Sequence, residues 1–136
     1  MTALIDTGFM FSVLSRREKH HLACLKAYRR EPEPLIPVPI LPELAYFALP
    51  ELGYQQFAAF LEMVTFRTPR LVQATQADMI RTAEIMREYA DIKIDFADCA
   101  IMAMAERLNI TRILTIDQRD FRIFRPKHTL AFEILP

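Results

Sequence analysis

Short apolar runs that favour β-strands alternate with helical segments along most of this chain. The candidate strands are residues 3–5, 35–40, 113–116 and 130–135. Apolar residues at helical spacing predict helices at residues 9–14, 19–30, 54–63, 76–89 and 96–108. A further helix is predicted to begin at Pro42 and to be interrupted by Pro50 and Gly53, and residues 118–124 are predicted to form a short helical turn. Strands separated by helices predict an open parallel sheet with helices on both faces.

The length and composition predict one compact domain over residues 1–136. The chain is 52% hydrophobic and 25% charged, and no repeat or low-complexity linker divides it. Its longest charge-free run, residues 52–61, is too short to cross a bilayer. The N-terminus does not have the pattern of a signal peptide, so we expect a cytoplasmic protein with no membrane association.

Several enzyme classes are excluded by residues that the chain lacks. Its two glycines do not form a P-loop or a dinucleotide fingerprint, and its three histidines do not have zinc-site spacing. Cys24 and Cys99 lie among apolar residues, which predicts buried thiols and no disulfide. The net charge of zero gives no overall basic field for nucleic acid.

Two of the candidate strands are followed directly by an aspartate. Asp6 follows the first strand, and Asp117 follows residues 113–116. Ligands bind beyond the carboxyl ends of the strands in open parallel sheets. Glu43, soon after the second strand, and Asp98, in the first turn of helix 96–108, are expected at the same edge. The sequence therefore predicts that four carboxylates converge.

Each of these acids also has a purely structural interpretation. Asp95 and Asp98 fit a helix cap, and Glu43 suits the positive end of a helix dipole. Asp6 and Asp117 are harder to explain in this way, because they lose solvation at strand ends and have no evident basic partner in the sequence. Taken together, the four acids favour a functional cluster.

A cluster of four carboxylates needs protons or a cation to be stable. Two like charges about 4 Å apart repel by roughly 4 kcal/mol at an effective dielectric near 20. Magnesium prefers oxygen ligands, so the lack of a histidine cluster favours Mg²⁺ or Mn²⁺ over zinc. Such a site can acidify a water molecule and align a phosphodiester for in-line attack.

The order and spacing of the acidic motifs resemble those of a known family. The motifs are Asp6 with Thr7 at the first strand tip, Glu43 in "LPELAYFAL", Asp98 in "DFADCAIMAMAERL" and Asp117 in "ILTIDQRDF". In these features the chain resembles the PIN-domain ribonucleases, particularly the single-domain VapC-type toxins, over essentially its whole length.

The resemblance implies a five-stranded α/β/α sandwich and a Mg²⁺- or Mn²⁺-dependent endoribonuclease that leaves a 5′-phosphate. It implies that Asp6, Glu43, Asp98 and Asp117 form the catalytic metal site and that Thr7 supplies a nearby hydroxyl. It also implies a toxin of a type II toxin–antitoxin pair, usually dimeric and held inactive by a cognate antitoxin.

Some features depart from the family pattern. Asp95 and Asp120 are additional acids, each either a further metal ligand or a cap, and we favour the cap for Asp95. Gly8 stands where the family often has a small polar residue. Pro37 and Pro39, two apart in the second strand, predict that this strand pairs poorly on one side.

Because an acidic site repels RNA, basic side chains must hold the substrate beside it. We expect Arg119 and Arg122, just past Asp117, to contact phosphates, and Arg16 and Arg17 to flank the other side. The segment 44–66 is rich in aromatic residues. Most are expected in the core, and some are expected to form an exposed groove for a second copy or an antitoxin helix: Tyr46, Phe47, Tyr54, Phe57, Phe60 and Phe66.

Two alternatives remain open. A PIN-domain nuclease with a housekeeping role in RNA processing or DNA repair would have the same fold and chemistry. A non-catalytic regulatory module resembling a receiver domain would use Lys93 and Thr115 beside its acids, but such a domain needs an acid pair after its first strand, and here Asp6 is alone.

Overall fold

A computed structural model describes residues 2–136 and contains a five-stranded parallel sheet with helices packed against it. The strands are β1 (Thr2–Ile5), β2 (Glu33–Pro37), β3 (Arg70–Val72), β4 (Arg112–Leu114) and β5 (Glu133–Leu135). The helices are α1 (Thr7–Leu14), α2 (His21–Arg30), α3 (Leu41–Leu52), α4 (Tyr54–Phe66), α5 (Gln76–Glu88), α6 (Phe96–Leu108) and α7 (Arg119–Ile123). This architecture confirms the predicted α/β/α sandwich.

The strand order is β3-β2-β1-β4-β5, so the chain reverses its direction across the sheet after β3. Right-handed crossovers that run in opposite directions place their helices on opposite faces. Accordingly α1 packs on α2 and α3, whereas α5 packs on α6. The reversal makes the boundary between β1 and β4 the topological switch point, where parallel sheets bind their ligands.

Helix α6 is the most buried helix, as its apolar sequence predicts. Its residues from Cys99 to Ala105 are all buried, and all of them except Ala100 belong to the same core as the central strand β1. Cys24 and Cys99 are buried free thiols, as expected. Within residues 2–136 no helix is both long enough and apolar enough to span a membrane.

The second strand differs from its prediction. It ends at Pro37, and Val38–Ile40 form a 3₁₀ turn that leads into α3. The strand pairs with β1 on one side and β3 on the other. The expectation of poor pairing was wrong, because Pro37 is the last residue of the strand and Pro39 lies outside it.

Two further local predictions were incomplete. Pro50 does not interrupt α3, which continues to Leu52 and ends at Gly53, where the backbone has a φ of 86°. Proline in the last turn removes only one helical hydrogen bond, and the left-handed glycine ends the helix. The sequence also contained no signal for β3, which is a three-residue edge strand without clear alternation.

The aromatic residues of segment 44–66 divide between core and surface. Phe57 and Phe60 are buried, whereas Tyr46, Tyr54 and Phe66 are largely exposed. The expected exposed aromatic side chains are therefore present on α3 and α4.

Candidate active site

The acids meet in a pocket of about 420 Å³ at the carboxyl edge of the sheet, beside the switch point between β1 and β4. The pocket contains all four predicted acids and both additional ones. It is lined by Asp6, Thr7, Gly8, Glu43, Phe47, Lys93, Asp95, Asp98, Ile116, Asp117 and Asp120.

Asp6 is the most constrained of these acids. It follows β1, and its backbone N–H donates to the carbonyl of Leu114 at the end of β4, 3.0 Å away. One carboxylate oxygen caps α1 by accepting from the N–H of Phe9 at 2.9 Å. The other accepts from the hydroxyl of Thr115. Asp6 is therefore fixed by the two strands that flank the switch point.

Burial raises the pKa of Asp6 to about 6. The hydrogen bonds from Thr115 and Phe9 lower this pKa, and the charges of Asp117 and Glu43 raise it. The buried carboxylate has no basic partner within residues 2–136. A cation in the pocket would relieve this unfavourable charge.

Asp98 lies in the first turn of α6 and is strongly perturbed. Burial raises its pKa to about 8, with further contributions from the carboxylates of Asp6, Asp95 and Asp117. In the absence of a cation, Asp98 is therefore protonated in most molecules at neutral pH. These mutual effects show that the carboxylates interact across one small volume.

Glu43 and Asp117 occupy the open side of the pocket. Glu43 is in the first turn of α3 and is exposed. Asp117 is also exposed, and it lies three residues past the end of β4, whereas the predicted strand reached Ile116. Both are free to contact a ligand that enters from solvent.

The additional acids have different surroundings. Asp95 is at the N-cap position of α6, but its side chain makes no capping hydrogen bond. Our preference for Asp95 as a side-chain cap was therefore wrong, and its carboxylate lines the pocket instead. Asp120 forms an ion pair with Arg119 at 3.3 Å, so its charge is partly balanced.

Two residues, one beside the pocket and one in its lining, carried only a weak signal in the sequence. Thr115 is fully buried, and Thr115 rather than Thr7 donates to Asp6. The sequence indicated the role of Thr115 only by a single hydroxyl group within the apolar run at residues 113–116. Lys93 is the only basic residue among those that line the pocket. It has a φ of 54°, a left-handed conformation that is uncommon outside glycine and asparagine.

The predicted RNA-binding arginines lie outside the lining of the pocket. Arg119 and Arg122 are exposed on α7, immediately beyond Asp117, and Arg119 reaches the pocket edge through Asp120. Arg16 and Arg17 follow the C-terminal end of α1, about 12 Å along the helix from its cap at Asp6. The structure therefore places Arg119 and Arg122 close to the acids and Arg16 and Arg17 farther away.

The donor set fits a hard divalent cation. Apart from Lys93, the polar side chains that line the pocket offer carboxylate and hydroxyl oxygens, and none is a histidine or a cysteine. Within residues 2–136, no three such side chains are close enough together to hold one ion directly. An ion held here would therefore be bound partly through water, as Mg²⁺ commonly is.

Comparison with known proteins identifies the family. The PIN domain model matches residues 3–125, and the chain belongs to the PIN domain family. It is 27% identical over 134 residues to Ribonuclease VapC26 of Mycobacterium tuberculosis, a match that covers 98% of this chain and 99% of the relative. This result confirms the resemblance on which the sequence prediction rested and leaves the receiver-like alternative without support.

Solved structures show the same fold. VapC20 of Mycobacterium tuberculosis, described as a sarcin-ricin loop cleaving toxin, superposes with a TM-score of 0.72 at 15% identity over 82% of this chain and 86% of its own. VapBC2 of Rickettsia felis, bound to a DNA fragment from its promoter, superposes with a TM-score of 0.70 at 16% identity over the whole of both chains.

Proposed function

We propose that this protein is a metal-dependent endoribonuclease and the toxin of a type II toxin–antitoxin pair. The observation that carries the proposal is the convergence of Asp6, Asp98, Asp117 and Glu43 at the switch point of a PIN domain. The relative named a ribonuclease and the neighbour described as a sarcin-ricin loop cleaving toxin support the activity. A solved toxin–antitoxin complex from Klebsiella pneumoniae, which has the same fold, supports an antitoxin as partner.

The residues of the pocket have different roles in the proposed reaction. Asp6 and Asp117 would hold Mg²⁺ or Mn²⁺ directly, and Asp98, after it loses its proton, would support the ion through water. When bound, the ion supplies Lewis-acid stabilisation of phosphodiester charge and acidifies water. Glu43, exposed on the open side, would orient the attacking water or accept its proton. Thr115 keeps the Asp6 carboxylate in one orientation.

The reaction is a hydrolysis with in-line geometry. The water oxygen forms a bond to phosphorus, and the bond from phosphorus to the 3′-oxygen breaks. The 3′-oxygen takes a proton, so the products are a 5′-phosphate and a 3′-hydroxyl. In this proposal Arg119 and Arg122 contact RNA phosphates near the pocket. Arg16 and Arg17 contact RNA phosphates farther from the pocket.

The direct test is RNA cleavage by the purified protein. Mixed cellular RNAs are incubated with Mg²⁺, Mn²⁺ or a chelator, and the new 5′ ends are analysed. We expect cleavage only with metal, and 5′-phosphate ends. Cleavage that persists in chelator, or intact RNA under all three conditions, contradicts the proposal.

The role of toxin is tested separately from the nuclease activity. Induced expression of the protein is expected to stop growth, and co-expression of a small DNA-binding protein encoded beside it is expected to restore growth. An active nuclease whose expression is harmless would instead fit the housekeeping alternative.

Lys93 provides a prediction about substrate binding. Its ammonium group has no acidic partner within 4.0 Å among residues 2–136, so it is available to a substrate phosphate. Lys93→Gly is expected to lower cleavage by about tenfold to a hundredfold and to reduce the salt dependence of RNA binding by about one charge. Thermal stability is expected to stay the same or rise, since glycine accepts the left-handed backbone.

Lys93→Arg is the matched control for this prediction, because it keeps the charge. It is expected to retain most of the activity. Equal cleavage rates and equal salt dependence for wild type and Lys93→Gly would show that Lys93 does not contact the RNA.

A further inference from the structure

Gln118 is a half-buried side chain that directly follows Asp117 and has no part in the proposed chemistry. Its amide nitrogen, Nε2, donates to the carbonyl of Pro136 at 3.3 Å and, at the longer distance of 3.4 Å, to the carbonyl of Thr115. Its amide oxygen, Oε1, accepts from Nη2 of Arg122 at 2.6 Å. The amide therefore joins the residue after β5, the loop that carries Asp117, and helix α7.

The partners of this amide determine its orientation. The two backbone carbonyls can only accept hydrogen bonds, and a guanidinium can only donate them. The amide nitrogen must therefore face Pro136 and Thr115, and the amide oxygen must face Arg122. A carboxylate at position 118 would place an acceptor against the carbonyls, and an apolar side chain would bond to none of the three groups. A glutamine amide satisfies both sides.

Arg122 has no other fixed partner among the described residues. It is exposed, and within residues 2–136 no acid lies within 4.0 Å of its guanidinium. Because its partner Gln118 is neutral, the guanidinium keeps its full charge, and most of its N–H donors remain free for a phosphate. By contrast, Arg119 pairs with Asp120, which partly balances its charge. The hydrogen bond restricts a long side chain before RNA binds, which lowers the entropy cost of binding.

The loop that holds Gln118 is also connected to the acids. The hydrogen bond from Gln118 to Thr115 closes the turn at residues 115–118, and Asp117 lies within this turn. The hydroxyl of Thr115 donates to Asp6. Gln118 therefore links the guanidinium of Arg122 to the segment that carries one strand-end aspartate and orients the other.

We infer that Gln118 is a positioning residue that holds the guanidinium of Arg122 beside the loop of Asp117, so that a phosphate bound by Arg122 aligns the neighbouring phosphodiester with the acids. This inference rests on the proposed ribonuclease function. It adds a residue that acts on the substrate only through Arg122.

Gln118→Leu tests the inference, because leucine has a similar volume and makes no side-chain hydrogen bond. For the RNA that wild type cleaves fastest, we expect KM to rise about tenfold with a smaller change in kcat, since Arg122 keeps its charge but loses its orientation. In an Arg122→Ala background the same substitution is expected to leave KM unchanged. This non-additivity distinguishes the positioning of Arg122 from general support of the loop.

Gln118→Glu is the second variant, because it keeps the length of the side chain. Its carboxylate would neutralise Arg122, so we expect a higher KM and a salt dependence of KM that falls by about one charge, as in Arg122→Ala. Gln118→Leu leaves the charge of Arg122 in place and is expected to keep the wild-type salt dependence. Gln55→Leu, at an exposed position on α4 outside the pocket, is the matched control and is expected to change neither quantity.

The outcomes separate this inference from the proposed function, with circular dichroism as the check that each variant folds. If wild type cleaves RNA but Gln118→Leu has the wild-type KM, or raises KM equally with and without the side chain of Arg122, this inference fails alone. If Gln118→Leu does not fold, Gln118→Glu decides, and wild-type KM and salt dependence in that variant overturn the inference. If wild type cleaves no RNA, the proposed function fails.

Discussion

Replacement of Asp6 by asparagine is expected to lower RNA cleavage by about a thousandfold or more while the protein stays folded. The amide removes the buried negative charge on which a cation in this pocket depends. It preserves the cap of α1, because the asparagine side-chain oxygen accepts the hydrogen bond from the N–H of Phe9 as well as the aspartate oxygen does. Cleavage rates and circular dichroism of the purified variant measure the two effects separately.

Two controls define the interpretation of this variant. Thr115→Val removes only the hydroxyl that orients Asp6, so a smaller loss of about tenfold to a hundredfold is expected. Glu62→Gln removes an exposed acid on α4 outside the pocket and is expected to have no effect. An Asp6→Asn protein that folds and cleaves at the wild-type rate would exclude Asp6 from the chemistry.

The metal-free protein is expected to become less stable as the pH rises from about 5 to about 8. The pKa values of Asp6 and Asp98 are raised to about 6 and about 8 in the folded state. In this interval the folded state binds more protons than the unfolded state, so stability falls with rising pH. Asp6 alone accounts for roughly 1.4 kcal/mol of the loss between pH 5 and pH 8, because the rest of the effect of its raised pKa falls below pH 5.

Two ion-paired acids, Asp78 and Glu106, act in the opposite direction at lower pH. Burial raises the pKa of Asp78, but hydrogen bonds from Arg107 and Thr75 outweigh it and leave this pKa lowered. The ion pair with Arg81 likewise lowers the pKa of Glu106, against the effect of burial. Their stabilisation is present above the ordinary carboxyl pKa and is lost as the pH falls further. Maximum stability in chelator is therefore expected between about pH 4 and pH 5.

Chemical denaturation in chelator across this range measures the effect. Asp98→Asn is expected to flatten the decline, because the side chain with the most strongly raised pKa no longer ionises. Mg²⁺ is expected to restore stability at the alkaline end. Stability that increases from about pH 5 to about pH 8 in chelator, or an unchanged slope in Asp98→Asn, would contradict the electrostatic description of the pocket.

The sequence was sufficient to predict the positions of the acids, because two general rules apply to them. Strand-end residues of a parallel sheet share one edge, and ligands bind at that edge. Asp6 and Asp117 followed from these rules alone. The first turn of a buried helix and the segment after β2 then placed Asp98 and Glu43 at the same edge.

The missing features depend on tertiary contacts that periodicity does not encode. Strand β3 is short and marginal by itself, and β2 supplies the pairing that defines it. Lys93 and Phe47 reach the pocket from segments that the sequence assigned to a loop and to a core helix. Their positions depend on how α3 and the connection from α5 to α6 pack around the switch point.

Titration of Mn²⁺ into the purified protein at neutral pH tests the central claim most directly. Calorimetry in two buffers of different ionisation enthalpy gives both the affinity and the number of protons released. Because the pKa of Asp98 is about 8 without metal, we predict saturable binding with release of about one proton per ion, and no such release in Asp98→Asn. Folded protein that binds no Mn²⁺, or binds it without releasing protons, would contradict the account.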